Sequence, residues 1–172
     1  MKLPWARRPD PELRVLMVCM GNICRSPTAE AVLRRKLERA GLAERIAVDS
    51  AGTYGGHAGA APDPRAQRHA ERRGYDLSRQ RARAIGAEDF ARYGLVLAMD
   101  EDNLQALARH QPAAAPAPRL LMEFARRPDA PREVPDPYYG GPEGFERVLD
   151  LVEDACDGLL AFLQREQGNF RG

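Results

Sequence analysis

The sequence predicts a single α/β domain in which helices cover both faces of a parallel sheet. Its 172 residues are the length of one domain and are enough to bury a sizeable core. Short apolar runs alternate along the chain with segments whose apolar residues recur at helical spacing. This alternation is typical of parallel sheets, because the connection between two parallel strands is usually a helix.

The first two elements are a buried strand and a helix joined by a tight loop. Residues 13–19 form a nearly continuous apolar run, as expected of a strand buried on both faces. Residues 26–40 have helical spacing, with Ser26 as the expected N-cap, Pro27 at the first helical position and Gly41 at the end. The loop between them therefore starts at the carboxyl end of a strand, where ligands bind in folds of this kind.

The remaining elements continue the alternation. Three further strands are predicted at residues 46–50, 95–99 and 119–122, and the last of them is the weakest. Three further helices are predicted at residues 64–73, 101–109 and 145–163. Residues 125–142 are rich in proline and glycine and form a long loop, which in compact domains is often functional. Residues 1–12 are expected to be a flexible tail, because prolines and charges there prevent regular structure.

Composition and charge narrow the function classes. The formal net charge is +1, so the chain lacks the electrostatic signature of a protein that binds nucleic acid or a membrane surface. Three cysteines are too few for a disulfide framework and favour a reducing compartment. The first residues do not form a signal peptide, and no apolar stretch approaches the roughly 20 residues of a membrane helix. We therefore expect a cytoplasmic protein.

The loop after the first strand has the form Cys-x5-Arg-Ser, from Cys19 to Ser26. A phosphate group binds to curled backbone N–H groups next to a helix N-terminus. Gly21 and Asn22 tolerate the positive φ that such a curl requires. Arg25 supplies a planar fork for two phosphate oxygens, and the same positive groups stabilise a Cys19 thiolate for attack on phosphorus. On spacing alone, an inert cysteine packed at a strand end is about as probable. The strand, loop and helix context favours the nucleophile.

A second candidate lies in the long loop. Cleavage of a phosphate ester needs a proton for the leaving oxygen. Asp136 stands between two prolines and next to the aromatic pair Tyr138 and Tyr139, where partial burial would help to keep it protonated. An ordinary turn aspartate is the alternative interpretation of an isolated Asp-Pro sequence.

Four segments, taken together, resemble the low-molecular-weight protein tyrosine phosphatases in order and spacing over about residues 13–165. The segments are Cys19-Met20-Gly21-Asn22-Ile23-Cys24-Arg25-Ser26-Pro27, Asp49-Ser50-Ala51-Gly52-Thr53, Met99-Asp100-Glu101-Asp102-Asn103-Leu104 and Asp136-Pro137-Tyr138-Tyr139-Gly140. The resemblance implies a four-stranded parallel sheet of the flavodoxin-like type, with residues 13–172 as the phosphatase domain. It implies hydrolysis of phosphotyrosine without a cofactor or metal. Tyrosine-phosphorylated proteins would be the partners, and inorganic phosphate or vanadate would bind in the active site.

The resemblance also implies roles for individual residues. Cys19 would form a phosphocysteine, Arg25 would hold the phosphoryl oxygens, and Asp136 would protonate the phenolate and then activate water. Asn22 would adopt a strained conformation braced by Ser26 and Ser50, and Asp100 would be a structural helix cap. The other residues implied to bind the substrate are Met20, Gly21, Ile23, Cys24, Tyr138 and Tyr139.

Two positions depart from the family pattern. Gln80 stands where the family often has a bracing histidine, so this brace is expected to be weaker or differently built. The aromatic residue after the second strand, Tyr54, is shifted by two positions, and His57 is expected to be an ordinary loop residue. Arg65 belongs to a group of seven arginines between residues 65 and 83. We expect this group to form a solvated helix face or, alternatively, to steer anionic substrates.

Three other functions remain as alternatives. Protein arginine phosphatases are similar to this chain but typically have threonine at the position of Ile23. Arsenate reductases on the same fold relay a disulfide through further cysteines in mid-chain, whereas no cysteine lies between Arg25 and Ala155. A phosphate-binding module without catalysis would not need both Cys19 and Asp136.

Overall fold

The computed structural model describes residues 8–166. Four parallel strands form one sheet in the order β2-β1-β3-β4. The strands are β1 (Leu13–Cys19), β2 (Ile46–Gly52), β3 (Leu95–Ala98) and β4 (Arg119–Leu120). The helices are α1 (Arg25–Arg39), α2 (Pro64–Arg72), α3 (Asp89–Arg92), α4 (Glu101–Ala108) and α5 (Pro142–Arg165), with a 3-10 helix at Leu121–Phe124. The predicted α/β class and the four-stranded parallel sheet are confirmed.

The central strand β1 explains why helices are needed on both faces. It pairs with β2 on one side, from Leu13 opposite Ile46, and with β3 on the other, from Val15 opposite Leu95. Its side chains alternate between two buried clusters, because successive residues of a strand point to opposite faces. One cluster contains apolar residues of α1, α2 and α5, and the other contains residues of α3 and α4. The continuous apolar run of β1 is therefore the sequence signature of burial on both sides.

Several element ends differ from the prediction. Ser26 is not the N-cap of α1, because the helix begins at Arg25 and Cys24 occupies the cap position without a side-chain bond. The fourth strand is two residues long, and the chain then turns into the 3-10 helix. Helix α5 begins at Pro142, where a proline costs no helical hydrogen bond. Helix α3 was not predicted, because four residues are too few to show a helical period.

The ends of the chain are only partly described. Residues 1–7 of the predicted tail, residues 1–12, lie outside the described part of the chain. Residues 8–12 form no helix or strand. Within them, Glu12 pairs with Arg45 at 2.8 Å. Residues 167–172 of the predicted domain also lie outside the described part. Among residues 8–166, no helix has the length and apolarity that crossing a membrane requires.

Candidate active site

The predicted phosphate loop lies at the carboxyl edge of the sheet, between β1 and α1. Cys19 is the last residue of β1, and Arg25 is the first residue of α1. The chain passes from β1 to β2 on one side of β1, and from β2 it crosses to β3 on the other side, so the strand order reverses at β1, which is where parallel α/β sheets bind their ligands. Because no side chain caps α1, its first N–H groups are available to an anion.

Cys19 lies buried at the base of the loop. Its side chain is 2% exposed. The backbone N–H of Asn22 donates to Cys19 Sγ at 3.3 Å, and the hydroxyl oxygen of Ser26 lies 3.0 Å from the same sulfur. The sulfur is thus placed under the loop opening and is supplied with donors for a negative charge.

The curled loop is held by Asn22, which has a φ of 56°, a conformation that costs energy outside glycine. Its Nδ2 donates to the hydroxyl oxygens of Ser26 and Ser50, at 2.8 and 2.9 Å. Its Oδ1 accepts from the backbone N–H of Arg83 at 3.0 Å. The structure therefore brings Asn22, Ser26 and Ser50 together. The hydroxyl of Ser26 accepts a hydrogen bond within the loop and does not cap the helix.

Gln80 completes this support from the position of the family's histidine. Its Nε2 donates to the carbonyl of Pro27 at 2.9 Å, and its Oε1 lies 3.4 Å from the hydroxyl oxygen of Ser50. The first bond is well formed and the second is long. The brace is thus differently built, with its stronger bond to the start of α1 and its weaker one to Ser50.

Backbone contacts also hold the loop in place, and the sequence analysis missed them. The N–H groups of Thr53 and Tyr54 donate to the carbonyls of Cys19 and Met20, at 3.0 and 2.9 Å. A Cβ atom on Gly52 would lie 2.7 Å from the carbonyl oxygen of Met20. Only glycine permits this approach of β2 to the loop. The sequence signal was Gly52, two residues beyond the end of the second predicted strand.

Arg25 is buried and held in a fixed orientation. Its Nη1 donates to Asp100 Oδ2 at 2.5 Å and to the carbonyl of Val134 at 3.0 Å. Burial opposes its charge, yet the neighbouring Cys19 and the carboxylate of Asp100 raise the pKa of Arg25. Its other terminal nitrogen, Nη2, lies 3.8 Å from Asp136 Oδ2. One side of the guanidinium is therefore anchored, and the other lies next to Asp136.

Asp100 has a second contact beyond the predicted one. Its Oδ1 accepts from the backbone N–H of Asn103 at 2.8 Å, which makes it the N-cap of α4. Its Oδ2 binds Arg25. The position of Asp100 just after β3, next to the strand that carries Cys19, was the signal that could have indicated this contact.

A cleft of about 310 Å³ opens over Cys19, a size that suits one small ring with its phosphate. Ten residues line this cleft together with Cys19: Met20, Gly21, Ile23, Cys24, Arg25, Tyr54, His57, Asp136, Tyr138 and Tyr139. Asn22, Ser26 and Ser50 lie behind this lining. Asp136 is partly exposed, and its Oδ1 accepts from the backbone N–H of Tyr138 at 3.1 Å. The rings of Tyr138 and Tyr139 meet edge to face, 4.9 Å apart.

Tyr54, the shifted aromatic residue, and His57, which was expected to be an ordinary loop residue, form one wall of this cleft. Their rings meet edge to face with centres 6.0 Å apart. A Cβ atom on Gly21 would lie 3.1 Å from the imidazole of His57, and one on Gly56 would lie 2.2 Å from the ring of Tyr54. The ring of Tyr54 thus fills the space that a side chain at position 56 would enter, and the aromatic wall is present although its residue is shifted.

Known proteins are similar to this chain over most of its length. The family model described as low molecular weight phosphotyrosine protein phosphatase matches residues 14–169. A low molecular weight protein-tyrosine-phosphatase of Streptomyces coelicolor is 45% identical over 157 residues, which are 90% of this chain and 94% of the relative. The low molecular weight phosphotyrosine protein phosphatase of Homo sapiens is 39% identical over 148 residues, 85% of this chain and 92% of the relative.

Solved structures are similar to this chain as well. The crystal structure of a protein tyrosine phosphatase from Entamoeba histolytica, with Hepes in its active site, has a TM-score of 0.86 at 38% identity and covers 90% of this chain and 99% of that one. YfkJ from Bacillus subtilis has a TM-score of 0.84 at 35% identity, over 94% and 99% of the two chains. With the match to the family model and the identity to these relatives, the chain belongs to the low molecular weight protein tyrosine phosphatase family.

Proposed function

We propose that this enzyme hydrolyses protein phosphotyrosine and small aryl phosphates through a phosphocysteine on Cys19. The observation that carries the proposal is the arrangement around the cleft. A buried cysteine with donors on its sulfur lies at the base, and the anchored Arg25 and the carboxyl of Asp136 lie 3.8 Å apart at its side. A phosphoryl group above Cys19 would therefore meet the nucleophile, the cation and the acid together.

In the first step, the Cys19 thiolate attacks phosphorus, and a sulfur–phosphorus bond forms as the bond to the phenolic oxygen breaks. Asp136 gives its proton to that oxygen, and the tyrosine leaves as a neutral phenol. The loop N–H groups and Arg25 bind the three remaining oxygens, whose charge they stabilise in the transition state.

In the second step, Asp136, now a carboxylate, takes a proton from a water molecule that attacks phosphorus. The sulfur–phosphorus bond breaks, inorganic phosphate forms, and Cys19 returns to the thiolate. The same residue serves as acid and then as base, so the cycle needs no further group.

The lining of the cleft favours phosphotyrosine over phosphoarginine and phosphoserine. Ile23 presents a branched apolar side chain, and Tyr138 and Tyr139 add aromatic surface around the same space, which suits a phenyl ring better than a polar guanidinium. The shorter stem of phosphoserine would not bring its phosphate to a sulfur buried at the base of the cleft.

Substitution of Ile23 by threonine tests this choice. We expect the wild type to prefer phosphotyrosine, and Ile23→Thr to shift the preference toward phosphoarginine by about 1–3 kcal/mol, the usual scale of discrimination by one side chain. The measurement is kcat/KM for matched phosphotyrosine, phosphoarginine and phosphoserine peptides with both enzymes. A wild type that is faster on phosphoarginine would favour the arginine phosphatase alternative. An unchanged ratio in the variant would show that Ile23 does not set the preference.

The chain offers little support for arsenate reduction. Apart from Cys19 and Cys24, its remaining cysteine is Cys156, which lies fully buried in α5. Burial raises the pKa of this thiol to about 12. A relay of disulfide bonds to the surface would need an exposed or mobile sulfur, and Cys156 is neither exposed nor near the cleft lining.

The pair Cys19 and Cys24 leads to a prediction of reversible oxidation. Both line the cleft, and burial and the nearby Asp63 raise the pKa of Cys24, which therefore stays a thiol. Peroxide would convert the Cys19 thiolate to a sulfenic acid and would itself be reduced to water. Attack by the sulfur of Cys24 would then release a second water and form a Cys19–Cys24 disulfide.

We expect mass spectrometry after peroxide treatment to find this disulfide, and dithiothreitol to restore activity. The Cys24→Ser variant should instead lose activity irreversibly, because its Cys19 would proceed to the sulfinic acid. The prediction fails if wild-type Cys19 is over-oxidised while Cys24 remains free.

A further inference from the structure

Arg65 contacts both the loop that carries Asp136 and the body of the protein. It is the second residue of α2. The central carbon of its guanidinium lies 4.8 Å from the ring centre of Phe145 and 5.4 Å from that of Tyr138. Phe145 is buried near the start of α5, whereas Tyr138 is exposed at the cleft. A planar cation is attracted to the faces of aromatic rings, so Arg65 links an exposed ring at the cleft to a buried ring of the core.

The same guanidinium is tied to the phosphate loop through Asp63. Its Nε and Nη2 donate to the two carboxylate oxygens of Asp63, at 3.1 and 2.9 Å. The backbone N–H of Asp63 donates to the carbonyl of Ile23 at 2.8 Å. The hydrogen bonds from Arg65 outweigh burial and lower the pKa of Asp63, so this pair is charged at neutral pH.

Tyr138 connects Arg65 to the acid. The backbone N–H of Tyr138 donates to Asp136 Oδ1, so the place of Tyr138 and the direction of the Asp136 carboxyl depend on each other. The side chain of Asp136 is 41% exposed. Because so little packing surrounds it, its orientation depends on the loop that carries it.

We propose that Arg65 is a positioning residue that holds the Asp136 loop over the phosphate loop, in the geometry in which Asp136 can protonate the leaving oxygen. This inference rests on the proposed function, since it concerns the step that Asp136 performs. The competing interpretation is that Arg65 only stabilises the start of α2, where Asp63 is the N-cap. That role would change thermal stability without changing the dependence of the rate on the leaving group.

The experiment compares Arg65→Met, Arg65→Lys and Asp136→Ala with the wild type on a series of aryl phosphates whose phenols differ in pKa. Arg68→Met is the matched control, because Arg68 is exposed on the same helix. Iodoacetate alkylation of Cys19 reports on the phosphate loop, and thermal unfolding reports on stability. Misplaced catalytic groups cost up to about 100-fold in rate. We therefore expect Arg65→Met to lower kcat about tenfold or more on phenyl phosphate and less than threefold on nitrophenyl phosphate.

The other readouts separate positioning from stability. Alkylation of Cys19 in Arg65→Met should stay within twofold of the wild type, and Arg68→Met should match the wild type throughout. Arg65→Lys, which keeps the charge but lacks the planar fork, should regain the thermal stability of the wild type but keep the steep leaving-group dependence of Arg65→Met.

Two results would overturn the proposal in distinguishable ways. In the first, Arg65→Met lowers the rate equally on all leaving groups, or slows alkylation of Cys19 as much as turnover, while the rate of Asp136→Ala depends steeply on the leaving group. Arg65 is then not the positioning residue, and the assignment of Asp136 as the acid stands. If Asp136→Ala itself shows no dependence, the assignment of the acid fails and the role of Arg65 fails with it.

Discussion

Replacement of Cys19 by serine is expected to abolish turnover while binding of phosphate persists. Attack on phosphorus needs the thiolate, whose sulfur is stabilised by the donors of the loop. Most of the groups that we expect to bind phosphate are backbone N–H groups and Arg25, none of which the substitution removes. Steady-state hydrolysis of nitrophenyl phosphate and calorimetric titration with vanadate or phosphate measure the two properties separately.

The control for this substitution is Cys156→Ala, which removes a buried cysteine that does not line the cleft. It should lower thermal stability, because it leaves a gap in a fully buried site, but it should leave kcat near that of the wild type. Activity of Cys19→Ser within tenfold of the wild type would refute the phosphocysteine mechanism.

The second large effect is expected for Asp136→Ala on substrates with poor leaving groups. General acid catalysis contributes about 10²–10⁴ to a rate, so kcat on phenyl phosphate should fall by a factor in that range. Phosphates of acidic phenols should be affected less, because their phenolates leave without a proton. The measurement is the slope of log kcat against the pKa of the leaving phenol.

Asp129→Ala is the matched control, because Asp129 is an exposed aspartate in the same long loop. It should reproduce the wild-type slope. An Asp136→Ala enzyme whose loss is the same for every phenol would show that another group supplies the proton.

The parts of the fold and site that the sequence predicted are those determined by local patterns. The apolar run of β1, the proline at the start of α1 and the residues from Cys19 to Arg25 are contiguous. One stretch of chain therefore specifies the strand, the curl and the helix. The four-stranded parallel sheet followed from the alternation of elements together with the resemblance to the family.

The parts that it missed depend on contacts between distant segments. The bond of Asp100 to Arg25 joins residues 75 positions apart and exists only because β3 lies beside β1. Ser26 is a different case, because its partners Cys19 and Asn22 are near it in the chain. It has the sequence context of a helix cap, yet the curl of the loop turns its hydroxyl toward these two residues. Arg65 was expected to be solvated with its neighbours, although its side chain is only 37% exposed and lies against two aromatic rings. Local spacing contains no information on such partners.

The ring of Tyr54 over Gly56 makes these two positions depend on each other in evolution. A methyl group at position 56 would collide with the ring, so Gly56→Ala should turn Tyr54 out of the cleft, whereas the same change in a Tyr54→Ala background should be nearly silent. The effect of a substitution at position 56 therefore depends on which residue stands at position 54.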